Sequence, residues 1–185
     1  MPLCFAYGSN MDRAAMAARC PNSKPLGVGR LPRHRFVIMP EGYADVARDP
    51  RGVVYGVLWE IALADMRALD AYENISSGLY RKVMQPILRE GAGGARALVY
   101  MGRGLGGGRP KPGYLEGVLA AARSWELPPA YLRDLETSAG RTIARAPRLP
   151  SVTVQPGLEL PPPMVEPATG AVKVRPRFST PFDRR

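Results

Sequence analysis

Cys4-Phe5-Ala6-Tyr7-Gly8-Ser9-Asn10 is the stretch on which the fold turns. Leu3 to Ala6 is apolar and short, the pattern of a buried strand. Tyr7 to Asn10 then changes to turn chemistry. Glycine can take a positive φ, while Ser and Asn hydrogen-bond to their own backbone. The next residues, Met-Asp-Arg-Ala-Ala-Met-Ala-Ala-Arg, are good helix formers. Asn10 is the expected N-cap of that helix. A strand, tight loop and helix start in succession aim backbone N–H groups and a positive dipole end at one point, which suits a carboxylate or a developing oxyanion. An ordinary strand-to-helix turn with no ligand has the same pattern, so the decision rests on the rest of the chain.

Working outward, Arg35 to Met39 reads as a strand bounded by Pro32 and Pro40. Val53 to Ile61 is the strongest strand signal, β-branched, aromatic and long. Tyr80–Leu88 and Ala95–Met101 flank the glycine-rich Glu90-Gly-Ala-Gly-Gly94 and form an expected hairpin. Ala62 to Glu73 predicts a helix with Ala62, Met66, Leu69 and Glu73 on one face. Tyr114 to Glu126 predicts an amphipathic helix whose inner face is Leu115, Val118, Leu119, Ala122 and Trp125. Pro128-Pro129 breaks it, and Ala130 to Glu136 starts a short third helix. Early strands with flanking helices give an α+β class: a small mixed or antiparallel β-barrel, flanking helices, and an extended C-terminal tail.

That tail is marked by composition. The chain has 185 residues and a formal net charge of +10. From Arg141 onward eight Lys/Arg stand against three Asp/Glu, so half of the excess lies in the last quarter. The same segment holds nine of the 20 prolines, including Pro161-Pro162-Pro163, and few periodic apolar positions. The expected organisation is therefore one domain over 1–140 and a basic, proline-rich tail over 141–185. No apolar run reaches the roughly 20 residues of a membrane-spanning helix, and no signal-peptide pattern opens the chain. With only Cys4 and Cys20 present, a cytosolic chain with reduced thiols is expected.

Glu73 is the residue with the most chemistry to offer. It follows Leu69 by four positions on the apolar helix face and sits at the helix C-terminus. Burial and dipole would both raise its pKa towards the range of a general acid/base. A helix-end carboxylate reaching water fits the same spacing. Ser9 has no triad to join, since the one histidine is His34 within Arg33-His34-Arg35. Gly102-Arg-Gly-Leu-Gly-Gly-Gly108 lacks the Gly-Lys-Ser/Thr ending of a phosphate-binding loop and runs into Pro110 and Pro112. It is read as a mobile loop near the mouth of a site.

Phe5-Ala6-Tyr7-Gly8-Ser9-Asn10, Leu69-Asp-Ala-Tyr-Glu73, Ser77-Gly-Leu-Tyr80, Pro112-Gly-Tyr114 and Leu127-Pro-Pro-Ala-Tyr131 together resemble the γ-glutamylcyclotransferase family. The resemblance runs in order to about Glu136 and leaves out the tail. It implies a small barrel with flanking helices and no metal or cofactor. It also implies release of 5-oxoproline from a γ-glutamyl amine or peptide, with Glu73 as the catalytic acid/base. Tyr7, Gly8, Ser9 and Asn10 would grip the substrate carboxylate or oxyanion, and Tyr80 and Tyr114 would orient the glutamyl moiety. The partner expected is a small γ-glutamyl molecule, with no membrane and no nucleic acid, a homodimer being left open. A different class of reading is a non-catalytic binding protein on the same fold, whose tail binds nucleic acid or a protein.

Overall fold

A computed structural model describes residues 1–140, except 90 and 92. The expected tail, 141–185, lies outside the described residues, as do 90 and 92 of the glycine-rich hairpin turn. Five strands close into a barrel in the order β1-β3-β2-β4-β5. They are β1 (Leu3–Ala6), β2 (Lys24–Ile38), β3 (Ala44–Glu60), β4 (Arg81–Arg89) and β5 (Gly93–Met101). Four helices flank them: α1 (Arg13–Arg19), α2 (Leu63–Tyr72), α3 (Tyr114–Ser124) and α4 (Pro129–Gly140). The α+β barrel expected from the sequence is the architecture found.

The short β1 is the seam. It pairs antiparallel with β3, from Leu3↔Glu60 to Ala6↔Val57, and parallel with β5 through Cys4↔Leu98 and Phe5↔Val99. Closing a barrel across so short a strand needs close approach. At Gly56 an added Cβ would sit 2.2 Å from the Ala6 carbonyl oxygen and 2.8 Å from the Phe5 ring. Only glycine fits there. Phe5, Leu31, Val54, Leu58, Ile87 and Val99 are at most 1% exposed and fill the interior. Trp59 of β3 meets Trp125, at the end of α3, edge to face at 6.3 Å, which seats the helices on the barrel.

β2 departs from expectation. The expected strand, Arg35 to Met39, is bounded by prolines, yet β2 begins at Lys24 and runs through Pro25 and Pro32. Both prolines sit beside register shifts, Pro25/Gly27 and Pro32/His34. A missing N–H is tolerated at such irregularities. At the second, Arg33 takes φ 58°, and the pairing steps from Pro32↔Val53 to His34↔Arg48. Four residues of β3, 49–52, thus lie against one residue of β2.

The helices follow their stripes. α2 buries Asp65 and Leu69, with Met66 at its flank and Ala62 outside the helix as its N-cap. Its start is tied to the segment before β2, because the Asp65 carboxylate accepts from the Asn22 backbone and amide N–H and from the Ser23 hydroxyl at 2.8–3.0 Å. Its end is Glu73, whose backbone N–H donates to Leu69 at 3.0 Å. The i, i+4 row Asp65–Leu69–Glu73 therefore carries Glu73 towards the barrel. Among the described residues no helix is long and apolar enough to cross a membrane. Cys4 and Cys20 are both buried and unbridged.

Candidate active site

Glu73 opens into a cavity of about 280 Å³ at one end of the barrel. The cavity is lined from β1 and its following loop by Tyr7, Gly8, Ser9 and Asn10, and across from them by Tyr80 and Tyr114. All seven residues singled out in the sequence thus meet in one place. Tyr43, Ala44, Tyr72 and Tyr100 complete much of the wall.

The loop after β1 differs from its expected form. Ser9–Met11 is a single 3₁₀ turn, and the N-cap of α1 is Asp12. The Asp12 carboxylate accepts from the Ala15 backbone N–H at 2.7 Å. Asn10 is therefore not the cap, and the first turn of α1 is satisfied by its own side chain instead of opening on the cavity. Gly8 has φ −118°, so left-handed backbone is not its purpose. An added Cβ would lie 3.0 Å from the Tyr114 hydroxyl and 3.2 Å from Ala44, inside the site.

Asn10, freed from capping, is 8% exposed and turns to the acid. Its Nδ2 donates to Glu73 Oε1 at 2.5 Å, and its Oδ1 accepts from the Arg19 guanidinium. Arg19 stacks 3.3 Å above the centre of the Tyr72 ring. The Tyr72 and Ser9 hydroxyls share a hydrogen bond of 3.0 Å. Burial pushes the Glu73 carboxyl from 4.5 up to about 7, against the opposing pull of the Asn10 hydrogen bond and the Arg19 charge. A carboxyl there is part ionised at neutral pH and can both accept and return a proton.

Two of the tyrosines are held from one residue of β3, Ala44. Tyr80 donates its hydroxyl proton to the Ala44 carbonyl at 2.6 Å, while the Ala44 N–H donates to the Tyr114 oxygen at 3.2 Å. Tyr7 donates to the Tyr100 carbonyl at 2.6 Å. Burial raises all three phenols, Tyr114 to about 12 and the other two beyond the usual tyrosine range. They are neutral hydrogen-bonding groups at any ordinary pH.

The loop Gly102–Gly108 does not line this cavity. It is pinned instead, correcting the expectation of a mobile segment. Asp45, fully buried, accepts from the backbone N–H of Val46 (2.7 Å), Gly102 (2.8 Å) and Gly104 (2.7 Å). Arg19, Tyr72, Ala44 and Asp45 escaped the sequence reading. Arg19 looks like any basic residue closing a helix, and Ala44 and Asp45 act through backbone. Tyr72 carried the one usable signal, adjacency to Glu73.

The model of the AIG2-like family matches residues 53–135. Human γ-glutamylcyclotransferase is 24% identical over 144 residues, which are 72% of this chain and 77% of that protein. The mouse protein is 25% identical over the same shares. A solved γ-glutamyl cyclotransferase, 22% identical, superposes with a TM-score of 0.66 over 73% of this chain and 86% of that one. The chain has the γ-glutamylcyclotransferase-like fold. An uncharacterized human protein of the same barrel superposes at 0.67, with 24% identity over 72% of this chain and 85% of the other. The resemblance drawn from five short motifs thus holds in sequence and in fold. On the γ-glutamylcyclotransferase-like barrel the Glu73 cavity opens where β1 gives way to its loop and α2 ends.

Proposed function

We propose that the protein is a γ-glutamylcyclotransferase, releasing 5-oxoproline from a γ-glutamyl amine or peptide. The observation that carries this reading is a carboxyl ionising near neutrality, on a cavity walled by neutral phenols, at the end of a barrel of this fold. The substrate's own α-amine attacks its γ-carbonyl, so the protein supplies no nucleophile. Glu73 accepts a proton from the α-ammonium. The new bond from nitrogen to the γ-carbon closes the five-membered ring, the bond to the leaving nitrogen breaks as Glu73 returns the proton to it, and the ring nitrogen sheds its second proton, which the departing amine takes up as an ammonium. Atoms balance without water: one γ-glutamyl amide gives 5-oxoproline and a free amine. An intramolecular closure gains most from a fixed folded conformer, and here Tyr80 and Tyr114 hold the glutamyl moiety while the Tyr7–Asn10 loop receives its carboxylate and the developing oxyanion.

The test is incubation of the full chain with a panel of γ-glutamyl amino acids, peptides and amines, scored for 5-oxoproline by mass spectrometry. α-N-acetylated γ-glutamyl compounds and α-linked glutamyl peptides are expected to be inert, because ring closure needs a free α-amine. Release of free glutamate instead of 5-oxoproline would mean hydrolysis and would exclude cyclisation.

A further inference from the structure

We propose that Arg19 is a positioning residue of the site: through Asn10 it fixes the acid/base Glu73 in orientation and charge, although it lies outside the cavity itself. The proposal rests on the cyclotransferase reading for the meaning of Glu73, but its geometry stands alone. Arginine has donors and no acceptor, so the Asn10 oxygen must face Arg19. The Asn10 amide nitrogen is then the only end left to face Glu73. Without Arg19 the amide is free to turn over and present its oxygen to the carboxylate, a repulsive contact. With Arg19 the hydrogen bond always runs from Asn10 to Oε1, and the carboxyl rotation is set by it.

The guanidinium is itself fixed twice. Its plane lies on the Tyr72 ring at 3.3 Å, and the Tyr72 hydroxyl reaches back to Ser9, the neighbour of Asn10. Ser9, Asn10, Arg19 and Tyr72 therefore form a closed ring of contacts joining the ends of α1 and α2. Arginine is suited to this double use because one planar group can stack and donate at once.

The groups that face Glu73 leave the charge balance to Arg19. Cys4 on β1, Tyr7 just after it, Tyr80 before β4, Tyr100 on β5 and Tyr114 on α3 all lie in its field with their ionisation pushed up by burial, so they are neutral. Asp70, on α2, is engaged by Lys82 at 2.5 Å and by the Tyr100 hydroxyl at 2.6 Å. Arg19 is the cation that draws the Glu73 carboxyl down against burial.

The experiment uses full-length protein with glutamate labelled at the side-chain carboxyl carbon. The Glu73 resonance is assigned by its loss in Glu73→Gln and titrated by NMR in wild type, Arg19→Met and Arg19→Gln. Two neutral variants are used so that one failing to fold leaves the other. The expected result is a rise of the Glu73 midpoint by about 0.5–1 pH unit, a three- to tenfold change in its ionisation constant. In the turnover assay kcat falls roughly 10-fold or more with KM changed less than about threefold, and the acid limb of the rate profile moves up with the midpoint. Arg19→Lys, which keeps charge but not the stacked fork, restores the midpoint more fully than kcat. An unmoved midpoint in a folded neutral variant overturns the proposal. A raised midpoint in a protein whose wild type makes no 5-oxoproline keeps the positioning role and rejects the cyclotransferase reading.

Discussion

Replacing Glu73 with Gln tests the site through stability as well as rate. Gln keeps the outline of the side chain and an oxygen for the Asn10 amide to bond, while removing the charge and the proton. The carboxyl ionises at about 7 in the folded protein against 4.5 as the reference for the unfolded chain. Between these values the folded state binds more protons than the unfolded, so stability falls as pH rises through the window. Above about 7 both states are ionised and the full penalty is present, at most roughly 3–4 kcal/mol at 1.36 kcal/mol per pH unit. Water at the cavity mouth screens part of this, leaving about 1–3 kcal/mol. Glu73→Gln is therefore expected to be more stable than wild type by that amount at pH 8, with the two converging near pH 4. Urea unfolding followed through the fluorescence of Trp59 and Trp125 measures it. The same variant is expected to lose roughly 10²- to 10⁴-fold in 5-oxoproline release, the usual value of acid/base catalysis. Identical pH dependence of stability in the two proteins would refute the argument, because Glu73 would then be an ordinary solvated carboxyl.

Two other substitutions probe the scaffold. Asp45→Asn puts an NH₂ where a carboxylate oxygen meets backbone N–H groups at a fully buried position. A loss of about 2–3 kcal/mol is expected, with faster amide exchange at Gly102 and Gly104; a change below about 0.5 kcal/mol would show that the loop is held by other means. Gly56→Ala drives a methyl into the Ala6 carbonyl across the β1–β3 pair. It is expected to cost about 3 kcal/mol or more, read as a lowered thermal midpoint, and a near-normal midpoint would mean that β1 can shift without opening the barrel.

The parts of the fold that were legible are those with a long β-rich run or an uninterrupted helical stripe. Val53 to Glu60 is β-branched and aromatic and is found as the second half of β3, which begins nine residues earlier at Ala44, while α3 keeps its inner row from Leu115 to Ala122 where expected. β2 was under-read because Pro25, Gly27, Gly29 and Pro32 are turn residues in any local reading. What carries them in a strand is the register shift, a property of the partner strand that no local window contains. The helix cap was misplaced by two residues for a related reason. Asn10 and Asp12 are equally good caps, and only the contact with Glu73, 63 residues away, separates their roles. Glu73 was legible because its distance from Leu69 is helical. Arg19 was not, since its importance depends on where α2 comes to rest.

The backbone of Ala44 has a consequence for how the cavity distinguishes the two ends of whatever enters it. The Tyr80 hydroxyl has spent its hydrogen on the Ala44 carbonyl, so towards the cavity it offers lone pairs alone. The Tyr114 oxygen receives the Ala44 N–H, so its own hydrogen is left to point at a guest. Two side chains of identical chemistry are thereby made unlike, one an acceptor and one a donor, by the C=O and the N–H of a single residue. A guest with an ammonium at one end and an oxygen at the other matches this pair in one sense only. Turned end for end, it would set lone pair against lone pair and hydrogen against hydrogen.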